Sequence, residues 1–272
     1  MDVPIDILQK LQAGENPLNS LDTIELLDRI NQWHDVDLRD ISSNDLTTKL
    51  LNIISAHIVS SSSISDQKLY RVRPLREGQV FHGISDIWCP PTELITKIGR
   101  VNDINDPMLY CALDQNTPVY ECGIKEGDWF GMIQYSINHT AVVNVSNVIG
   151  QDDYPGLTDK GRINLRIINQ FIRTEFTKPV GLGTEYLYRA SLKFCRDLFD
   201  VPNCDGSLYP SVASFTEGYN LAIKPEAAEK KLRFDCALIC RLEKFDTGKN
   251  GYTFFLKHKT NKVNGGKLEY QF

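Results

Sequence analysis

The chain has 272 residues, of which 42% are hydrophobic and 24% are charged, and its formal net charge is −5. This length and composition suffice for one sizeable hydrophobic core with a small appendage. Acidic residues are concentrated at the front, because residues 1–66 carry eleven acidic and four basic side chains. The rest of the chain is close to neutral, so we expect no direct binding to nucleic acid.

Signal and membrane segments are not expected. The chain opens Met1-Asp2-Val3-Pro4, and no apolar run approaches the roughly 18 residues that a spanning helix needs. Seven cysteines are scattered through hydrophobic surroundings without a CxxC pair, which is typical of reduced core residues. We therefore expect a cytoplasmic protein that does not bind membranes.

The first 59 residues carry helical patterns. Apolar residues recur at helical spacing in three stretches, and Ser20 and Ser43 stand before the second and third as candidate caps. Three helices are therefore predicted, over residues 5–11, 21–30 and 46–54.

A serine-rich stretch follows these helices. The run Ser60-Ser61-Ser62-Ser63 and the residues up to Asp66 are polar and poor in groups to bury, which is typical of a linker. We place a boundary there, between a helical N-terminal extension over residues 1–66 and a second domain over residues 67–272.

From residue 69 onward, short β-prone segments alternate with helical ones. The last two strands are joined by Asn264-Gly265-Gly266, a strong turn signal. Strands are predicted over 69–73, 108–113, 128–136, 235–242, 252–259 and 267–272, and helices over 160–174 and 184–198. This alternation indicates an α/β or α+β sheet protein.

Arg100, Tyr110 and Glu121 follow one another at spacings of ten and eleven residues. The spacing is too irregular for one helix face and predicts a strand, turn and helix that line a cleft. Arginine clamps phosphate oxygens two at a time, tyrosine offers a ring for stacking, and glutamate can stabilise positive charge on a sugar. Together with Ser211 in Tyr209-Pro210-Ser211, the pattern indicates a nucleotide-sugar site.

The charged residues also have ordinary interpretations. Arg100 could hold a loop through a surface ion pair. Arg71 lies in a predicted strand, where an inward cation is costly without an anion, and it could form a structural salt bridge with Glu121. Glu121 follows Pro118, which favours a helix start, so its carboxylate could simply complement the helix dipole.

The uncharged candidates are equally open. Tyr110 lies in an apolar run and could be a core aromatic, while Ser211 and Asn220 could be turn residues. Five dispersed histidines, with no HExxH pattern, give no metal-ligand set. We expect no metal and no prosthetic group.

Three ordered blocks carry a family resemblance. They are Tyr70-Arg71-Val72, residues 99–121, and Gly206–Ser211 followed by Gly218–Ala222. They resemble the RES domain family, named for an arginine, a glutamate and a serine, over roughly residues 68–225. The resemblance implies an α+β (mixed α/β) fold with an ADP-ribosyltransferase-like sheet core of RES type, here preceded by a small N-terminal helical extension.

The resemblance also implies an activity. Members of this family are typically toxins that consume NAD+ by hydrolysis or by phosphorolysis, so NAD+ is the expected substrate. The matching glutamate, Glu121, would stabilise the oxocarbenium-like centre that forms when the bond between nicotinamide and ribose breaks. Arg100 and Tyr110 complete the implied catalytic set. The implied NAD+-binding residues are Arg71, Arg100, Tyr110, Ser211 and Asn220.

Partners and alternatives follow from the same resemblance. Such toxins are usually neutralised by a cognate antitoxin, often a DNA-binding protein of Xre type, that covers the active site, and they commonly assemble as oligomers. Two other functions stay open at this point. One is transfer of ADP-ribose to a protein target, and the other is a catalytically idle module that recognises a nucleotide or a protein.

Overall fold

The structure, a computed structural model, describes residues 16–200, 202–213, 218–246 and 251–271. Within these residues the chain forms two compact units. The first takes in the residues up to Ser60 with Ile98–Arg100 and Asn147–Asp200, and the second takes in Ser61–Lys97, Val101–Ser146 and the residues after Asp200. The predicted helix over residues 5–11 lies outside the described residues.

Helices and strands alternate along the chain. The first half contains α1 (Pro17–Ser20), α2 (Thr23–His34), α3 (Ser43–Ile54), β1 (Ser60–Ile64), β2 (Lys68–Leu75), α4 (Ile84–Ile87), β3 (Leu109–Ala112), α5 (Thr117–Glu121), β4 (Trp129–Ile137) and β5 (Val143–Asn147). The second half contains α6 (Asp159–Thr177), α7 (Tyr188–Lys193), β6 (Gly206–Pro210), β7 (Tyr219–Ile223), α8 (Pro225–Lys231), β8 (Leu232–Asp246), β9 (Gly251–Asn264) and β10 (Lys267–Gln271). Short 3-10 turns cover Thr92–Leu94 and Glu185–Leu187, and π-helical Phe194–Leu198 follows α7.

The predicted elements that fall within the described residues are found, but their caps differ. The N-cap of α2 is Asp22, whose Oδ1 accepts hydrogen bonds from the amides of Ile24 and Glu25, and not Ser20. The N-cap of α3 is Ser42, whose hydroxyl accepts from the amide of Asp45. In both cases the better-placed oxygen satisfies the free amides of the first turn.

The serine run is a strand and not a linker. Ser60–Ile64 forms β1, with alternating exposure typical of an edge strand. The hydroxyl of Ser63 donates to Oδ1 of Asn144 on β5, at 2.9 Å. Short polar side chains that bond across the strands therefore compensate for the low apolar content of this segment.

In the first unit, α6 packs against α1 and α2 through a buried asparagine. Nδ2 of Asn164 donates to the carbonyls of Leu18 and Leu21, each at 2.9 Å, and its Oδ1 accepts from the hydroxyl of Thr23 at 2.7 Å. The N-terminal helices thus share one compact unit with α6, while the division at residue 66 stays a prediction. None of the described helices is both long and apolar enough to cross a membrane.

The second unit is built on a ten-stranded sheet in the order β1-β5-β6-β7-β3-β2-β4-β8-β9-β10. Strand β2 pairs antiparallel with β3 and β4, and β7 pairs antiparallel with β3 and β6. The larger hydrophobic core, which includes Leu69 and Ile133, lies on one face, and a smaller one, which includes Val72 and Phe130, lies on the other. This arrangement confirms the predicted α+β class.

The ring nitrogens of His57, just after α3, are buried. Both ring nitrogens are shielded from solvent and have no hydrogen-bond partner among the described residues, and the ring lies 5.3 Å from that of Phe199. Burial lowers the pKa of His57 from 6.5 to about 4. The unfolded chain takes up a proton below about pH 6.5 and the folded chain only near pH 4, so stability must fall as the pH falls through that window.

We expect acidification from pH 7 to pH 5 to cost about 2 kcal/mol of unfolding free energy through His57 alone. His57→Phe, which keeps a ring against Phe199, should remove this part of the pH dependence. The measurement is urea unfolding at the two pH values, with the exposed His34→Gln as the control. An undiminished loss in His57→Phe would contradict the assignment.

Candidate active site

Helix α5 begins at a side-chain cap formed by Asp114. The Asp114 carboxylate accepts hydrogen bonds from the amides of Asn116 and Thr117, both at 2.8 Å, and from the Thr117 hydroxyl at 2.6 Å. Pro118 lies in the first turn, where its missing amide costs nothing. Fully buried Val119 anchors the helix on the smaller core.

Glu121 is the last residue of α5, and the first turn contains no acidic residue. The interpretation of Glu121 as a complement to the helix dipole is therefore wrong, because the C-terminal end of a helix carries partial negative charge. The carboxylate must be stabilised by something other than its own helix.

A Schellman motif ends α5 directly after Glu121. The amide of Gly123 donates to the carbonyl of Tyr120 at 2.9 Å, and the amide of Ile124 donates to the carbonyl of Val119 at 3.2 Å. Gly123 has φ +62°, a conformation that side-chain-bearing residues adopt at a cost. The helix is thus limited to five residues. Asp114 fixes its start, and the two hydrogen bonds of the Schellman motif fix its end.

Three donors converge on one oxygen of Glu121. Oε1 accepts from the hydroxyl of Ser211 at 2.6 Å, from Nδ2 of Asn220 at 2.7 Å and from the amide of Val212 at 3.1 Å. Oε2 accepts no hydrogen bond from any residue the structure describes, and the side chain is exposed. The carboxylate is therefore held in place through one oxygen, while the other has no hydrogen-bond partner among the described residues.

The strand register puts the other polar candidates on the same face of the sheet. One row across four strands is Tyr70, Ala112, Asn220 and Tyr209, each paired with the next. Tyr110 precedes Ala112 by two residues, so its side chain points to the same side and lies one diagonal step from Asn220. Tyr110 and the Glu121 cluster thus share one face.

The hydroxyl of Tyr110 is held by a residue that was not among the candidates. It donates to Oδ1 of Asn102 at 2.7 Å, and Nδ2 of Asn102 donates to the carbonyl of Asp103 at 3.0 Å. Asn102 is buried. This bond orients the half-buried ring of Tyr110, which was the residue proposed for stacking.

Arg71 lies next to Tyr70 on β2, so it points to the opposite face. Its Nη1 donates to the carbonyl of Trp88 at 2.6 Å. In the described part of the chain the predicted alternative, an ion pair between Arg71 and Glu121, is not formed.

Arg100 belongs to the first unit and closes the C-terminal end of α6. Its guanidinium donates to the carbonyls of Phe176 and Lys178, and it stacks over the ring of Tyr188, 5.0 Å from the ring centroid. A cation that meets the last carbonyls of a helix is favourable. A phosphate-binding role for Arg100 stays a prediction.

A family model described as the RES domain matches residues 68–240, which is more than half of the chain. The chain belongs to the RES domain family. No curated protein matches the chain as a relative.

Membership in the RES family supports an NAD-related, toxin-like function in general terms. The match extends beyond the predicted 68–225 and ends within β8. It contains all of the proposed site residues. The region after residue 240, with β9 and β10, lies outside the match.

Of the proposed residues of the RES domain, the structure brings Glu121, Ser211 and Asn220 into direct contact and places Tyr110 beside them. Sequence reasoning missed Asn102 and the amide of Val212. Asn102 lies two residues after Arg100, and the spacing of the sequence gives no sign that it bonds to Tyr110. A main-chain donor such as Val212 leaves no signal in the sequence.

The thiols of Cys122, next to Glu121, and of Cys111 on β3 are poor nucleophiles. Burial raises the pKa of Cys122, next to Glu121, to about 11 and that of Cys111 to about 12, so both thiols are neutral and poorly nucleophilic at pH 7. All seven cysteines are free, as the sequence predicted. Across the described ranges, no group of three or more acidic, histidine or cysteine side chains is arranged to hold a metal ion.

Gly123→Ala should destabilise the protein by about 1–2 kcal/mol, because the added Cβ is strained at this φ while open space surrounds it. Gly181→Ala is the matched control, since Gly181 also faces open space but has ordinary backbone geometry. Urea unfolding of the two variants measures the difference. Equal stabilities would argue against the proposed end of α5.

Proposed function

We propose that this RES domain cleaves the bond between nicotinamide and ribose of NAD+, as a glycohydrolase or a phosphorylase, and so depletes cellular NAD+ and arrests growth. The observation that carries the proposal is the Glu121 carboxylate, fixed through Oε1 by three donors and open at Oε2. A fixed, outward carboxylate is suited to a cationic transition state.

The reaction needs charge stabilisation more than covalent chemistry. When the bond breaks, its electron pair leaves with nicotinamide, which departs neutral, and the ribose carbon becomes an oxocarbenium-like cation. Oε2 of Glu121 would stabilise that cation or bind a ribose hydroxyl next to it. An oxygen of water or phosphate then bonds to the ribose carbon, and a water nucleophile releases a proton.

Ser211 and Asn220 are assigned first to positioning Glu121. Both donate to Oε1, and Ser211 donates to a carboxylate and not to an imidazole, which gives no support to a nucleophilic serine. Their hydrogen bonds to the substrate, the stacking of a ring on Tyr110 and the binding of phosphate by Arg71 and Arg100 remain parts of the proposal.

An antitoxin that covers this site is the proposed partner. Glu121 and Val212 are exposed, so a bound protein segment could reach the donors and the carboxylate directly. The N-terminal extension and self-association are further proposed contact elements. The proposed chemistry requires no prosthetic group, because NAD+ is the substrate.

The decisive experiment incubates purified protein with NAD+, with and without phosphate, and follows nicotinamide release. Glu121→Gln keeps the shape but loses the charge, so we expect the rate to fall by roughly 10²–10³-fold. The exposed Glu77→Gln should behave as wild type. A phosphate requirement would identify a phosphorylase.

Absence of release by the wild type under both conditions would overturn the proposal. If NAD+ is then consumed only when a protein acceptor is added, and that acceptor becomes labelled, the activity is ADP-ribosyl transfer. If NAD+ binds unchanged, the chain is an idle nucleotide-binding module.

Ser211→Ala separates positioning from nucleophilic attack. Loss of one hydrogen bond to a charged group should lower kcat by about tenfold, because Asn220 and Val212 still hold Oε1. Ser65→Ala is the control, since Ser65 is an exposed serine of the same unit. A loss in Ser211→Ala as deep as that of Glu121→Gln would contradict the positioning role.

A further inference from the structure

Asn102 lies in a loop before β3 whose shape is set by its own hydrogen bonds. The amide of Ile104 donates to Oδ1 of Asp103 at 2.7 Å, and the amide of Asp106 donates to the carbonyl of Asp103 at 3.3 Å. Val101, at the start of the loop, is buried in the second unit. The side chain of Asn102, which is itself buried, therefore has a defined place.

A second bond fixes which way the side-chain amide of Asn102 points. Its Nδ2 donates to the carbonyl of Asp103 at 3.0 Å, so Oδ1 is the atom turned toward Tyr110. The opposite orientation would place Oδ1 against that carbonyl, where two acceptors face each other with no hydrogen between them. Asn102 therefore presents an acceptor, and not a donor, to the hydroxyl of Tyr110.

The hydroxyl of Tyr110 must then donate, and it does so to Oδ1 of Asn102 at 2.7 Å. A phenol hydroxyl has only one hydrogen, so any further hydrogen bond at Oη of Tyr110 is one in which this oxygen accepts. The oxygens of an ionised phosphate or of a carbonyl are acceptors only and do not suit that position. A hydroxyl or an amide N–H of a ligand suits it.

Tyr110 lies beside the residues that hold Glu121. It pairs across the strands with Ala222 on β7, and Asn220, two residues before Ala222, donates to Oε1 of Glu121 at 2.7 Å. Residues two apart on a strand point to the same face of the sheet. The side chain of Tyr110 is half-buried, so part of its surface stays accessible at this face.

We propose that Asn102 is a positioning residue for substrate binding, which acts through the hydroxyl of Tyr110 and makes that hydroxyl an acceptor for a hydrogen-bond donor of the substrate. The inference rests on the proposed function and adds the group that sets the polarity of Tyr110. NAD+ carries such donors on both sides of the bond that breaks, as ribose hydroxyls and as the carboxamide of nicotinamide. Without Asn102 the hydroxyl could turn its hydrogen toward those donors and oppose them.

A double-mutant cycle in the full chain tests whether Asn102 acts through Tyr110. Calorimetric titration with NAD+ compares Asn102→Ala, Tyr110→Phe and the double variant, all in a Glu121→Gln background so that little NAD+ is consumed. Tyr110→Phe removes a single oxygen, so it tests the same bond with little change in packing. Asn261→Ala is the control, because Asn261 is an exposed asparagine of the same unit.

Each single variant should weaken the binding of NAD+ by about tenfold, because one directed hydrogen bond to the ligand is lost. The double variant should bind no more weakly than Tyr110→Phe, since Asn102 has no oxygen left to hold. Asn261→Ala should bind NAD+ as the background does.

A second ligand identifies the donor. Nicotinic acid adenine dinucleotide has a carboxylate in place of the carboxamide and keeps the ribose hydroxyls. If Tyr110→Phe weakens this ligand as much as it weakens NAD+, the donor is a ribose hydroxyl. If the weakening disappears, the donor is the carboxamide.

An unchanged affinity for NAD+ in Asn102→Ala would overturn the inference. Additive losses, with the double variant weakened by about a hundredfold, would also overturn it, because Asn102 would then act on the loop and not through Tyr110. So would failure of the background itself to bind NAD+. The proposed function fails separately, since coupled losses of affinity in a chain whose wild type releases no nicotinamide would sink it and leave the role of Asn102 standing.

Discussion

The position of the candidate catalytic carboxylate depends on three hydrogen bonds. Oε1 of Glu121 accepts them from the chain around Ser211 and Asn220. The bond from Asn220 connects the end of a five-residue helix to β7, about a hundred residues downstream in sequence. So short a helix has little stability of its own. The cap formed by Asp114 fixes the start of the helix, and the left-handed conformation of Gly123 fixes its end. Together they hold the carboxylate of Glu121 within reach of those donors.

Local features were predictable from the sequence, and distant contacts were not. The strand, turn and helix through Tyr110 and Glu121 followed from apolar spacing and from Pro118, since both signals act over a few residues. The position of Glu121 at the end of α5 was missed because a side chain at Asp114 and a glycine conformation at Gly123 set the bounds. Likewise, the serine run of β1 predicts a linker, because a sequence does not show whether a serine hydroxyl bonds to water or to a neighbouring strand.

Arg100 shows why a motif residue must be judged by more than loss of activity. Its guanidinium closes the end of α6 in the first unit, beside buried Glu175, which accepts from Trp33 Nε1 at 2.8 Å and pairs with Lys178 at 2.6 Å. Removing Arg100 would take away the donors that these carbonyls accept from and would lower the stability of this helix end. An inactive Arg100 variant would therefore identify a phosphate ligand only if its unfolding free energy matched that of the wild type.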